Sequence, residues 1–255
     1  MTRITVLQPE ADVPLDRFSQ WLDAELEFVE LWHQSVPPLE QCGDGIVVLG
    51  GRMDALDHRA NPWLADVKEL LVEAHAAGHP VLGICLGHQM IADAFGGTVT
   101  LAADLEGPLA GGEEGAFEVT WTEAALRDPI FAEAAQERVS VVPESHNDVV
   151  TELPPGAVLL VSSEKYEIQG FRLGSLACVQ FHPEASPETL QLWTDGHGGD
   201  GAAIRAELEA VDDKVRRLGE SIARGFVATL SRQELVLGPC ALHDLPKTVW
   251  SPPTE

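Results

Sequence analysis

Residues 81–89 read VLGICLGHQ. Residues 81–84 are a short apolar strand, and Gly83-Ile84-Cys85-Leu86-Gly87 runs from it straight into a helical pattern. A strand-to-helix turn this tight is a nucleophile elbow, which lifts the side chain at its apex clear of the backbone. Gly83 and Gly87 remove side chains that would clash with such a turn. The following helix sets backbone N–H groups and the positive end of its dipole beside the Cys85 sulfur, favouring thiolate over thiol. Cys85 is therefore placed as a nucleophile. The alternative for this segment alone is a buried structural cysteine.

Outward from this elbow, the first 100 residues alternate strand and helix patterns. Strands are predicted over 4–7, 28–32, 45–49 and 81–84, and helices over 15–22, 63–77 and 88–95. In the helix over 63–77, Trp63, Val67, Leu70, Leu71 and Ala74 share one face. Asn61 and Pro62 suit its start, and Gly78 and Pro80 its end. The strand over 45–49 is apolar on both faces, as a central parallel strand is. This rhythm implies an α/β fold, a mostly parallel central sheet with helices on both faces. The second part is richer in β signals, with strands over 99–101, 116–121, 139–142, 157–162, 168–172 and 176–180, then a short helix over 187–193.

One α/β domain is expected over 1–195. TDGHGGDG (194–201) reads as a flexible linker, and 202–230 as one long amphipathic helix. The division is thus 1–195 domain, 196–230 linker and helix, and 231–255 a proline-containing tail. The stripe Ile204, Leu208, Val211, Val215, Leu218, Ile222 and Phe226 suits a helix packed on its own domain, or one offered to a partner.

Of 255 residues, 16 are Lys or Arg and 41 Asp or Glu, a net charge of −25. Such a surface repels phosphate backbones and anionic membranes, so nucleic-acid and membrane partners are not expected. The 45% hydrophobic content excludes a disordered chain. Four cysteines (42, 85, 178 and 240) form no CxxC pair, so no zinc knuckle is expected. His75 and His79 have the spacing of a helical zinc pair, but Gly78 and Pro80 break the helix there. With no signal peptide or membrane span, the expected location is cytoplasmic.

Two further stretches lie at strand ends. Gln180-Phe181-His182-Pro183-Glu184 offers a histidine as base and a carboxylate to orient it. Gly50-Gly51-Arg52-Met53-Asp54 follows the strand over 45–49, and its glycine N–H groups are free to face a ligand. A simple turn is the alternative reading there. In a parallel sheet such strand ends open on one crevice, where ligands bind.

Together these segments resemble the class I, triad-type glutamine amidotransferases. The elbow GICLGHQ, the QFHPE segment and the Gly50-Gly51 pair match that family's motifs, and the resemblance covers about residues 40–195. Ser145-His146-Asn147-Asp148 and Glu114-Gly115 resemble segments of its free-standing, GMP-synthase-like branch, which includes γ-glutamyl peptide hydrolases.

The resemblance implies a flavodoxin-like fold and a triad of Cys85, His182 and Glu184. It also implies an oxyanion site at Gly50, Gly51 and Leu86, and contacts to a bound small-molecule glutamine from Gln89, Asn147 and Asp148. It implies no metal or organic cofactor. Ammonia would pass to a separate synthase subunit or be released, because no phosphate loop is present. The alternatives are a stand-alone γ-glutamyl peptide hydrolase and a catalytically silent regulatory subunit. The candidate partners are a second copy of the chain or a synthase subunit.

Overall fold

Short apolar runs bounded by turn residues become the strands of one large sheet. The computed structural model describes residues 2–230. In chain order these form β1 (Arg3–Gln8), α1 (Phe18–Trp21), β2 (Glu25–Glu30), β3 (Gly45–Val48), α2 (Trp63–Ala77), β4 (Val81–Ile84), α3 (Leu86–Ala94) and β5 (Thr98–Thr100). There follow β6 (Glu113–Trp121), β7 (Val139–His146), β8 (Val149–Glu152), β9 (Val158–Ser163), β10 (Gly170–Leu173) and β11 (Leu176–Val179). Three helices complete the description: α4 (Pro187–Gly196), α5 (Gly201–Glu209) and α6 (Asp212–Leu230).

Nine strands make the main sheet, in the order β2-β1-β3-β4-β11-β10-β9-β6-β7. The neighbours from β2 through β11 are parallel, and those from β11 through β7 antiparallel. Only β10 and β6 therefore run against the common direction, as a mostly parallel α/β sheet requires.

Alternate strand residues feed two cores, as the period of two dictates. Ile4, Val6, Val47, Leu82 and Ile84 meet Leu218, Ile222 and Phe226 of α6 on one face. Leu7, Ile46, Val48 and Val81 meet Leu64, Val67 and Leu71 of α2 and Met90 of α3 on the other. The apolar stripe of α6 thus packs on its own sheet. Its last residue, Leu230, lies on Gly45 at the amino end of β3.

Several elements differ from expectation. The helix over 15–22 is a single turn starting at Phe18. The reason is tertiary: Asp16 takes a positive φ of 42°, and its carboxylate accepts hydrogen bonds from Ser186 N (2.7 Å) and Thr189 Oγ1 (2.6 Å). β2 starts earlier than its apolar run, because its register against β1 pairs Arg3 with Glu25. The stretch 194–201 is a tight corner: α4 continues to Gly196, and Asp200 caps α5 by accepting from Ala203 N at 3.1 Å. The helix over 202–230 is two helices. Asp212 and Asp213 supply the acidic first turn that favours a new N-terminus, and Asp212 pairs with Arg17 at 2.7 Å. β8, which pairs with β5, has no counterpart in the sequence reading. The tail over 231–255, with Cys240, lies outside the described residues.

Cys42, Cys85 and Cys178 are free thiols. Among the described residues, no helix is long and apolar enough to cross a membrane.

Candidate active site

β4 ends where α3 begins, and Cys85 is the single residue between them. Its φ of 52° and ψ of −103° form a conformation that L-residues rarely adopt, costing about 1–3 kcal/mol. The surroundings hold it there. Cys85 N–H donates to Val179 O of β11 at 2.9 Å. A Cβ on Gly87 would stand 2.4 Å from Val48 O, and one on Gly83 would stand 2.9 Å from the Gly87 carbonyl. Both glycines are therefore required by close backbone approach across the elbow. The α3 ladder starts with Gln89 N–H donating to Cys85 O, which leaves the Leu86 N–H ahead of it at the positive helix end.

β11 delivers the second group. His182 lies just past its end, its backbone N–H donating to Pro143 O of β7 at 2.8 Å. Its Nδ1 meets Glu184 Oε1 at 2.8 Å. A carboxylate only accepts, so Nδ1 carries the proton and Nε2 is left for the Cys85 thiol. His182 and Cys85 line the same cavity, and the two side chains influence each other electrostatically. Burial alone would lower the imidazole's pKa, but the Glu184 carboxylate and then the Cys85 sulfur outweigh it and hold it well above the usual value. The group stands ready to carry a proton. The Trp193 ring, from α4, packs 4.7 Å from the imidazole at 60°.

The three strand-end segments converge as expected. A Cβ on Gly50 would come within 2.8 Å of His182 Cε1 and 3.4 Å of Cys85 Cβ. Gly50 is thus small because both side chains press on it, a reason the sequence does not reveal. Gly51, Cys85, Gln89, Asn147, Asp148 and His182 line one cavity of about 560 Å³. Leu86 is fully buried behind it. Gln89 Nε2 donates to Asp148 O at 2.9 Å, tying α3 to the 147–148 turn. The Asp148 carboxylate accepts from Ala102 N at 2.7 Å. Glu114 accepts from Thr194 Oγ1 at 2.7 Å and pairs with His197 at 2.8 Å, at the cavity rim.

Other contacts escaped the sequence reading. Gln180 binds His88 Nδ1 (3.2 Å) and Gln89 Nε2 (3.3 Å) through its Oε1. Complete burial pushes the pKa of His88 down to about 3. α6 approaches the 182–184 loop so closely that a Cβ on Gly219 would stand 2.2 Å from Pro183 O. Glu113 on β6 and Glu144 and His146 on β7 form a buried cluster beside the cavity. Burial and the neighbouring Glu113 raise the Glu144 carboxyl well above the usual carboxylate range. Glu113, Glu144 and His146 share no motif spacing, because a hairpin register brings them together: Glu113 pairs with His146 across β6 and β7.

A strand-end cysteine elbow facing an Nδ1-anchored histidine, at the carboxyl end of a mostly parallel sheet, defines an α/β protein of the glutamine-amidotransferase kind. The family model of class I glutamine amidotransferases matches residues 18–192, and the chain belongs to that family. Gamma-glutamyl peptidase 4 of Arabidopsis thaliana is 32% identical over 203 residues, covering 76% of each chain. A glutamine-hydrolysing GMP synthase subunit of Thermococcus kodakarensis is 40% identical over 109 residues. That match spans 42% of this chain and 52% of the archaeal one. The crystal structure of a glutamine amidotransferase from Thermotoga maritima superimposes with a TM-score of 0.68 at 25% identity, covering 91% of this chain and 97% of the other. A glutamine amidotransferase of Methylobacillus flagellatus shares the fold with a TM-score of 0.74 at 22% identity, covering 96% of this chain and 100% of the other.

Proposed function

We propose that this protein hydrolyses a γ-glutamyl amide through a Cys85–His182–Glu184 triad, with glutamine as the substrate. The observation that carries the reading is the constrained Cys85, sharing its cavity with a histidine whose Nδ1 is anchored on Glu184 at 2.8 Å. The Cys85 sulfur attacks the γ-carbonyl carbon. The N–H groups of Leu86 and Gly51 stabilise the oxyanion, and each such donor contributes about 10²–10³ in rate. The His182 imidazolium protonates the leaving ammonia, and the neutral imidazole then activates water to cleave the γ-glutamyl thioester. Gln89, Asn147 and Asp148 hold the glutamyl end of the substrate, and the site needs no cofactor. The protein works in the cytoplasm, alone, as a homodimer, or delivering ammonia to a partner synthase.

A second reading is a γ-glutamyl peptide hydrolase. The cavity of about 560 Å³ favours it, being of a size that takes drug-sized ligands and not only a single amino acid. The Arabidopsis relative's name points the same way.

Glutamate release from glutamine and from a panel of γ-glutamyl peptides tests both, with Cys85→Ala as the control. Cys85-dependent release from glutamine supports the first reading. Fast release confined to a peptide replaces it with the second. Release that survives in Cys85→Ala overturns both.

A further inference from the structure

Besides the proposed triad, a second group of chemistry-bearing side chains lies beside the cavity. Glu113, Glu144 and His146 are all buried, and one ligand atom from each lies within 4.8 Å of the others. His146 Nε2 stands 3.2 Å from Glu113 Oε2 and 3.5 Å from Glu144 Oε2. Donor atoms bound to one ion at about 2.0–2.1 Å stand roughly 3–3.4 Å apart, so two of the three separations are already near those of a coordination shell.

Glu113 is held for such a role. Its Oε1 accepts from Ser163 Oγ at 3.1 Å, and its Oε2 from Gln169 Nε2 at 2.6 Å. Outer hydrogen bonds of this kind orient a ligating carboxylate. Glu144 differs. It is fully buried, neither carboxylate oxygen has a hydrogen-bond partner, and its Oε2 faces the imidazole. A buried carboxyl with nothing donating to it is expensive unless something else meets it. With both carboxyls ionised, as ligation of a cation requires, the cluster carries excess negative charge whatever the state of the histidine.

We propose that Glu113, Glu144 and His146 form a binding site for one divalent ion of the zinc class. Two oxygens and one imidazole nitrogen suit such an ion. The imidazole disfavours magnesium and calcium, and the lack of sulfur disfavours copper(I). Glu113 and His146 line the cavity, which gives the ion a path in from solvent. Ser145, between two of the ligands, has its carbonyl 3.9 Å from Cys85 Sγ. An occupied site would thus add two positive charges beside the thiol without using it as a ligand.

The test is zinc binding to the full chain, independent of turnover and so of the proposed hydrolysis. In a Cys85→Ala background, calorimetric titration is expected to show one tight zinc equivalent. Glu144→Gln, which removes no hydrogen bond, and His146→Gln are expected to weaken it at least about 10-fold. Glu114→Gln, at the rim, is expected to leave it unchanged. Absence of that equivalent, or equal affinity in Glu144→Gln and His146→Gln, overturns the site. X-ray absorption of zinc-loaded, unsubstituted protein decides the matter even where a variant fails to fold. A shell of oxygen and nitrogen with one imidazole supports the assignment, and sulfur in the shell overturns it.

Discussion

The two halves of the main sheet bury different chemistry. In the half running β2-β1-β3-β4-β11, the central strands β3, β4 and β11 are wholly buried and almost purely apolar. The half running β10-β9-β6-β7 buries Glu113, Glu144 and His146 in its outer hairpin. Connectivity explains the contrast. Parallel strands need crossovers that cover both faces with helices, so their interiors are dry and their function is confined to strand ends. Antiparallel partners align residues directly across a hairpin, which lets distant polar residues meet inside the sheet. The parallel half therefore fixes geometry at Cys85 and His182, and the antiparallel half gathers charge against the same cavity.

The sharpest way to break this division is Cys85→Ala. Glutamate release is expected to fall about 10⁴-fold or more, with the melting temperature changed little, because the positive φ is held by the elbow's packing. Activity that survives would move the chemistry out of the parallel half. Glu184→Gln comes next, with an expected loss of about 10²–10⁴ in turnover while iodoacetamide still labels Cys85. Loss of the carboxylate removes a charge that favours the imidazolium, so the His182 pKa should fall, as NMR titration of the ring would show. A smaller effect is expected from Gly219→Ala, because α6 must back away from Pro183 O. The cost is about 1–3 kcal/mol in urea unfolding, accompanied by reduced turnover. Full stability in that variant would mean α6 is not braced on the 182–184 loop.

The smallest expected effect on turnover belongs to His88, which acts through the pH dependence of stability. Its folded pKa of about 3 lies below its unfolded value of about 6.5, so between these two values the unfolded chain binds the extra proton. Stability from the neutral ring is present above pH 6.5 and is lost as pH falls toward 3, by up to about 1.4 kcal/mol per pH unit. Urea unfolding from pH 7 to pH 5 should show a slope that flattens in His88→Gln. An unchanged slope would mean that the dry half tolerates charge.

This contrast also sets what was legible in the sequence. The helix over 63–77 and the strand over 81–84 match their observed bounds residue for residue, since apolar period and glycine or proline stops act locally. The meeting of the Cys85 elbow with the His182–Glu184 segment was legible because each follows a strand end with a sequence-local signature. What escaped depends on distant partners. Asp16 shortens α1 through bonds to Ser186 and Thr189. Trp193 reaches His182 only after α4 folds back, and Glu113 meets His146 only through hairpin register. The break between α5 and α6 had a local clue in Asp212-Asp213, outweighed by an apolar stripe that continues across it.

The position of Leu230 has a practical consequence. α6 ends against Gly45, where β3 begins, whereas Cys85 and the cavity lie where the neighbouring parallel strand β4 finishes. A solid support or dye coupled at a cysteine introduced near Leu230 would thus sit about a sheet's length from the chamber. An immobilised enzyme oriented this way would present its entrance to the bulk solution.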